Sequence, residues 1–261
     1  PMAMSPVAFN HKLHEKNVDT CRACHHKETA ACSKCHTVQG SKEGGFVQLE
    51  KAMHLATSKR SCVGCHNTAK ADPKCSGCHD LMKVRKDPAK GSCKKCHVSG
   101  ALKIGAEPGS MPAYWNLKPE EKAAAAAELM KGRADKADVY SMEDIPEKVV
   151  IKSLVNEYEE SVMPHRKIVM KLVENIKDSK MSGVFHADPG TLCQACHHNS
   201  PASKKPPKCV NCHGQAFDNQ QPARPGLKAA YHGQCMGCHK SMALKKPLNT
   251  DCVGCHKEKK K

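Results

Sequence analysis

Every cysteine of the 261-residue chain belongs to one short motif that occurs nine times. The motif is C-x-x-C-H, in which a histidine directly follows the second of two cysteines, and no cysteine is left over. Five copies lie between residues 9 and 97, and four lie between residues 186 and 256. The cysteine pairs are Cys21/Cys24, Cys32/Cys35, Cys62/Cys65, Cys75/Cys78, Cys93/Cys96, Cys193/Cys196, Cys209/Cys212, Cys235/Cys238 and Cys252/Cys255. The histidines that follow them are His25, His36, His66, His79, His97, His197, His213, His239 and His256.

This spacing suits the covalent attachment of a c-type haem. Two cysteines on one helical turn can form thioethers with the two vinyl groups of one haem, and the adjacent histidine reaches the iron from the same side. Disulfides would not need a histidine after every pair. A zinc ion would be held awkwardly by a histidine next to its own cysteine ligand, and iron–sulfur clusters prefer sets of cysteines. The repeat therefore predicts nine covalent haems, each with its motif histidine as the proximal iron ligand.

Nine haems also explain a composition that is poor in core-forming residues and rich in positive charge. Aromatic residues make up only 3% of the chain, and its mean hydropathy is −0.60, so the porphyrins are expected to form much of the apolar interior. A formal net charge of +16 could indicate a nucleic-acid partner. However, two propionates on each haem contribute roughly 18 negative charges, which nearly balance it. We therefore expect no nucleic-acid partner.

The sequence predicts no membrane-spanning helix, because no run of 18 or more residues is apolar throughout. Residues 1–4 also lack the charged start and apolar stretch of a secretory signal peptide. We therefore expect either a cytoplasmic chain or the mature or excised form of an exported one.

The segment between the two blocks is expected to be partly helical. Pro119 and the glutamates after it predict a helix that runs through an alanine-rich stretch to Gly132. A second helix is predicted after Pro146, and a third from His165 to about Lys180. The second helix would place on one face Val150, Leu154 and Tyr158. In the cysteine-rich blocks we expect short helices and loops, so the predicted fold class is mainly α with much loop.

Eight histidines lie outside the motifs and are candidates for the second axial ligand of the haem irons. Two histidine ligands give a six-coordinate iron suited to electron transfer. Eight candidates for nine haems leave one iron short, which would be five-coordinate or bound by another side chain, such as one of the 12 methionines. The eight are His11, His14, His26, His54, His165, His186, His198 and His232.

The placement of these histidines resembles that of the tetrahaem cytochromes c3 of sulfate-reducing bacteria. The resemblance is carried by the sequence His-Lys-Leu-His at residues 11–14, before the first motif, and by the doubled histidines His25-His26 and His197-His198. Over nearly its whole length the chain resembles the nine-haem cytochromes of this superfamily. It equally resembles the carboxyl-terminal nine-haem portion of the high-molecular-weight sixteen-haem cytochromes.

The resemblance implies two c3-like tetrahaem modules and one additional haem. Residues 1–100 would hold the first module with the extra haem, residues 101–163 a haem-free connector, and residues 164–261 the second module. It also implies distal ligands: His11 for the haem of His25, His26 for that of His36, His165 for that of His197, His198 for that of His213, and His232 for that of His256. His14 and His54 would serve two of the haems of His66, His79 and His97, and His186 the remaining one; which of the three is isolated stays open.

One position departs from the family pattern. The second block reads His-Arg-Lys-Ile at residues 165–168, where the first block reads His-x-x-His. Ile168 cannot bind iron, so we predict that the haem of His239 has no distal histidine and is five-coordinate and high-spin. Met236 and Met242 stay open as substitutes, although their closeness to the motif makes the reach difficult.

The resemblance implies an electron carrier in the periplasm, without enzymatic activity of its own. Its donor would be a tetrahaem cytochrome c3 or a hydrogenase, and its acceptor a membrane-bound redox complex in sulfate respiration. Two alternatives are kept: a reductase that acts at the open haem of His239, and a subunit that holds haem for assembly.

Overall fold

A computed structural model of the chain consists of short helices joined by loops and turns. It describes residues 7, 9–84, 92–97, 140–152, 158–186, 188, 190–214 and 223–259, and a few positions between 117 and 128. Within these residues the helices are α1 (His11–Glu15), α2 (Cys32–Cys35), α3 (Leu49–His54), α4 (Cys62–Lys70), α5 (Pro73–Val84), α6 (Ser92–Cys96), α7 (His165–Ile176), α8 (Lys180–Phe185), α9 (Cys209–His213) and α10 (Leu227–Ser241). Three 3₁₀ turns span Cys21–Ala23, Met142–Asp144 and Leu192–Ala195.

The chain divides into two compact units. The first consists of Pro1–Ala71 and Ala89–Gly132, and the second of Asp72–Pro88 and Arg133–Lys261. The fourth motif, on α5, therefore groups with the four motifs that follow it along the chain after residue 186, whereas the sequence layout counts it with residues 1–100. The three-part layout itself stays a prediction.

The motif shapes its own local structure, because closing one helical turn brings both cysteines and the histidine to one side. The histidine N–H donates to the carbonyl of the first cysteine in the pairs His25–Cys21 (2.9 Å), His36–Cys32 (2.8 Å), His97–Cys93 (2.7 Å), His197–Cys193 (2.9 Å) and His256–Cys252 (2.8 Å). Other motifs start or lie within α4, α5, α9 and α10. The expectation of short helices and loops is confirmed.

Side-chain caps fix where two motif turns begin. The Ser61 hydroxyl, which caps α4, accepts from the Gly64 N–H at 2.9 Å and donates to the Leu55 carbonyl at 2.6 Å. At the first motif, the Thr20 hydroxyl accepts from the Arg22 N–H at 3.1 Å. Such caps satisfy N–H groups that a short helix cannot pair internally.

The helix predicted after Pro146 is wrong. Two short strands lie there instead, β1 (Val149–Ile151) and β2 (Ser161–Met163), which pair antiparallel with Val149 opposite Met163. Tyr158, expected on a helix face, forms an isolated antiparallel bridge with Glu258. The run Val-Val-Ile is β-branched throughout, and such side chains favour an extended backbone when a partner strand is available.

The other two helices of the middle segment have different outcomes. Helix α7 begins at His165 as predicted but ends at Ile176, and α8 begins separately at Lys180. The helix predicted from Pro119 lies mostly outside the described residues. The positions described there are helical, namely Glu120, Glu121, Ala124, Ala127 and Glu128.

Few side chains form a core within the part of the chain that the structure describes. The buried hydrophobic residues there are Ile145, Ala195 and Leu227. Several large apolar side chains elsewhere are exposed to solvent; Phe46, for example, is 74% exposed. A chain of this length normally buries a far larger apolar interior, so side chains packed on one another do not account for the fold alone.

Candidate haem sites

Each of the eight histidines outside the motifs lies opposite one motif histidine. The separations of the ring centroids are 6.2 Å for His11–His25, 6.4 Å for His14–His66, 5.7 Å for His26–His36, 5.9 Å for His54–His97, 5.9 Å for His79–His186, 6.4 Å for His165–His197, 5.8 Å for His198–His213 and 6.0 Å for His232–His256. Each pair lies within one compact unit. No histidine is used twice.

These separations fit an iron atom between the two rings. Two metal–nitrogen bonds of about 2 Å, with about 1.1 Å from each nitrogen to its ring centroid, place two opposed imidazoles about 6 Å apart. Rings in direct aromatic contact span a wider range, about 4.5 to 7 Å. The observed range of 5.7 to 6.4 Å is narrow and matches the spacing expected for two axial ligands of one haem.

The ring geometry also gives a partner to each of the three motif histidines whose partners the sequence leaves open. His14 lies opposite His66, and His54 lies opposite His97. His79 on α5 lies opposite His186, which follows α8 in the same unit. The haem motif of His79 thus belongs to a different unit from the other four motifs of the amino-terminal block.

Hydrogen bonds orient many of these rings by engaging the Nδ1 atom. A ring that donates from Nδ1 keeps the lone pair of Nε2 for a metal, and such partners commonly orient metal-binding histidines. The Nδ1 atoms bonded to backbone carbonyls are those of His14 (Asn10, 2.8 Å), His36 (Val47, 3.0 Å), His54 (Glu50, 2.9 Å), His165 (Pro146, 3.3 Å), His197 (Pro207, 2.9 Å) and His213 (Pro225, 2.7 Å).

Two rings use a side chain instead of a carbonyl. His11 Nδ1 lies 2.9 Å from a carboxylate oxygen of Glu15, and His186 Nδ1 lies 3.2 Å from the hydroxyl of Ser182. A carboxylate partner makes an imidazole a stronger electron donor to its metal than a neutral partner does. Sequence reasoning missed all of these partners. Only the four-residue spacing within α1, α3 and α8 could have indicated some of them.

Burial favours the neutral form of two of the paired rings. It lowers the pKa of His66, with the nearby His14 and Lys70 adding to the effect. It also lowers the pKa of His165, against an opposing hydrogen bond to the Pro146 carbonyl. Only a neutral imidazole can bind a metal, so the environment of both rings favours the binding form.

The 18 cysteines have the chemistry that thioether formation requires. None of them forms a disulfide, and all are exposed or half-buried. Because no disulfide consumes a motif cysteine, every pair is available to the vinyl groups of a haem.

Ten of the 18 predicted attachment cysteines lie at the surface and not in an interior. They include Cys65 on α4, Cys196 after the third 3₁₀ turn and Cys212 on α9, each of which is the second cysteine of its motif. The side-chain amide of Gln234 lies 3.5 Å from the sulfur of Cys196. Burial therefore does not identify these three as site residues, in contrast to Cys238 and other half-buried members of the set. Their assignment depends on the motif alone and stays a prediction.

His239 is the one motif histidine without a second histidine opposite its ring. All 17 histidines belong to the described residues, and the other 16 form the eight pairs. Ile168, at the position where the first block has His14, is 40% exposed. The Met242 sulfur lies 3.7 Å from the sulfur of Cys238, on the attachment side of the motif.

Comparison with known proteins gives the class to which this chain belongs. The family model of class III cytochrome c matches residues 1–97 and 159–256, which together hold all nine motifs. The chain belongs to the class III cytochrome c family, and its motifs attach c-type haems covalently. It is a multihaem cytochrome with a mainly helical, loop-rich fold, as the sequence predicts.

Particular relatives narrow the class further. Over 99% of its length the chain is 52% identical to the high-molecular-weight cytochrome c of Nitratidesulfovibrio vulgaris, of which it spans 47%. It is 42% identical to the nine-haem cytochrome c of Desulfovibrio desulfuricans, with 95% of the chain and 78% of that protein covered. A solved structure of the nine-haem protein superposes with a TM-score of 0.84 at 41% identity, over 99% of this chain and 90% of that one.

The chain therefore spans about half the length of the high-molecular-weight relative that it matches. Among the described residues, none of the helices has the length and apolar character needed to cross a membrane.

Proposed function

We propose that the chain is a periplasmic electron carrier in sulfate respiration, in which electrons pass along nine haems. The donor is a tetrahaem cytochrome c3 or a hydrogenase, and the acceptor is a membrane-bound redox complex. The observation that supports this proposal best is the set of eight opposed histidine pairs. Such pairs saturate the iron on both sides, which favours electron transfer over chemistry on a bound substrate.

In this proposal eight of the nine haems would each be held by a motif and by one of the eight additional histidines. The cysteine pair would fix the group covalently, and the motif histidine and the opposed histidine would be the two ligands of its iron. When bound, the haem iron supplies a reversible one-electron change of oxidation state. Backbone carbonyl groups at the Nδ1 atoms hold six of the rings in orientation, so little rearrangement would accompany the change in charge at those haems.

The haem of His239 is the exception. We propose that it has no distal ligand, because Ile168 stands where a histidine would be needed. Met242 lies against Cys238, on the attachment side, which disfavours it as a substitute ligand. A carrier needs no open iron, so this site also supports the second candidate function, reduction of a small molecule at the haem of His239. The third hypothesis is a subunit that holds haem for assembly, and none of the described residues supports it specifically.

The test of the carrier function is electron exchange with a reduced partner. The purified holo chain, whose mass should exceed 28.4 kDa by nine haems, is mixed in its oxidised form with a reduced tetrahaem cytochrome c3. We expect rapid and complete reduction of the chain. Failure of reduction by cytochrome c3, while a small chemical reductant still reduces all the haems, would reject the proposed function. Turnover of nitrite after it binds would favour the reductase instead.

A further inference from the structure

Two haem motifs of the second unit lie on helices that cross at their glycines. Helix α5 carries the fourth motif with Gly77 at its centre, and α10 carries the eighth motif with Gly237 at its centre. A side-chain carbon at Gly77 would lie 3.0 Å from the sulfur of Cys238. One at Gly237 would lie 2.7 Å from a methyl group of Leu81 on α5. Each glycine therefore admits the opposite helix.

Other contacts hold the crossing together. The hydroxyl of Ser76, only 4% exposed, donates to the carbonyl of Ser241 at the end of α10 at 2.7 Å. The sulfur of Met242 lies 3.7 Å from the sulfur of Cys238 and would meet a side-chain carbon at Gly77 at 2.7 Å. Helix axes lie about 8 to 10 Å apart depending on the side chains at the contact, and glycine gives the close end of that range.

Cysteines that attach different haems lie at this crossing on both helices. The sulfur of Cys238 lies beside Gly77, the residue that precedes Cys78 in the fourth motif. In the holo chain the thiols of Cys78 and Cys238 become thioether sulfurs. The contact between α5 and α10 thus brings together the covalent anchors of the haem of His79 and the haem of His239.

We propose that the crossing of α5 and α10 couples the haem of His79 directly to the haem of His239, with Gly77 and Gly237 as positioning residues. The inference rests on the proposed carrier function. Exchange across the crossing moves one electron from the reduced to the oxidised member of the pair, and no bond forms or breaks. The haem of His79 would then communicate with the second tetrahaem module through the one iron that lacks a histidine pair.

The direct test locates the irons in crystals of the holo chain by anomalous diffraction. We expect the iron of the haem of His239 to be the nearest neighbour of the iron bound by His79. A nearer iron on any other motif would overturn the proposal. In Gly77→Leu the distance between the two irons should increase by up to about 2 Å, as the helices move apart. Gly233→Leu on α10 is the matched control, because a side chain there meets no atom within 4 Å.

A redox titration tests whether the distance matters. His186→Met should raise the potential of the haem of His79 and separate it from the others. Its oxidation should then shift the midpoint of one other haem. Gly77→Leu should diminish that shift, and Gly233→Leu should retain it. An equal shift in both variants would overturn the positioning role.

Two controls keep this test decisive. If Gly77→Leu loses a haem, as its mass would show, Gly237→Leu opens the same crossing from the other helix. Both measurements use the isolated chain at equilibrium. A failure to accept electrons from cytochrome c3 would reject the proposed function but would not change the measured iron distances, so the two failures can be distinguished.

Discussion

Helices α1 and α7 begin alike and then differ at one position. Each starts with a histidine that lies opposite a motif histidine, His25 for α1 and His197 for α7. One turn later α1 has His14, opposite His66, whereas α7 has Ile168. The motif histidine left without a partner, His239, lies in the unit of α7.

The difference teaches that ligand supply and helix formation are separate properties of these segments. Helix α7 is 12 residues long and α1 only five. The helix with fewer histidines is thus the longer one. Replacing an axial ligand by isoleucine leaves the helix intact, because the position needs only a residue that a helix accepts. One side chain can therefore open an iron without altering the local fold.

The largest expected effect comes from making the first unit like the second. In His14→Ile the haem of His66 loses its opposed ring, so the number of high-spin irons per chain should double from one to two. Electron paramagnetic resonance of the oxidised holo chain measures this count. Lys12→Ile on the same helix is the control and should leave the count unchanged. An unchanged count in His14→Ile would show that His14 is not a ligand.

The reciprocal change should make the second unit like the first. Ile168→His restores the His-x-x-His pattern on α7, and we expect the high-spin signal to disappear and carbon monoxide binding to the reduced chain to fall from one equivalent to none. Lys167→His, one residue earlier on an exposed position, should do neither. Carbon monoxide bound equally by Ile168→His and the native chain would contradict the assignment of this position.

A smaller effect separates His11 from His165. His11 faces the carboxylate of Glu15, whereas His165 faces a backbone carbonyl. Glu15→Gln should raise the potential of the first haem by about 20 mV, which corresponds to the roughly 0.5 kcal/mol of an exposed ion pair. Redox titration of the holo chain measures the change. Glu28→Gln, which breaks an ion pair with Lys34 instead, should leave all potentials unchanged; an equal shift there would point to a general charge effect.

The smallest expected effect is a loss of folding stability at acidic pH. Burial lowers the pKa of His66 in the first unit and of His165 in the second. The unfolded chain then binds more protons than the folded chain between the lowered pKa and the ordinary value of 6.5. Stability should therefore fall as the pH drops through this window, and iron binding acts in the same direction. Denaturant midpoints from pH 7.5 to 5 should decrease; an increase would contradict the direction of both shifts.

Features that depend on a short local motif could be predicted from the sequence. The motif turns, the family and the start of α7 at His165 follow from spacing that a short helix imposes. The choice among His66, His79 and His97 could not be made, because the partner of His79 is His186, far along the chain. Such pairing depends on which distant segments the loops bring together, and no local sequence pattern indicates this.

Two other features escaped sequence reasoning for physical reasons. The strand Val149–Ile151 exists because Ser161–Met163 pairs with it, and a period read along a single segment cannot show a partner strand. The carbonyls that orient the rings, such as those of Pro207 and Pro225, belong to the backbone. Every residue has one, so residue identity does not reveal which carbonyls are used.

The central claim is that eight haems have two histidine ligands and the haem of His239 has one. Quantitative spin-state spectroscopy on the oxidised holo chain, with the haem content fixed by intact mass, tests it most directly. The account predicts eight low-spin irons and one high-spin iron per chain, in line with the eight opposed pairs. Nine low-spin irons would contradict it.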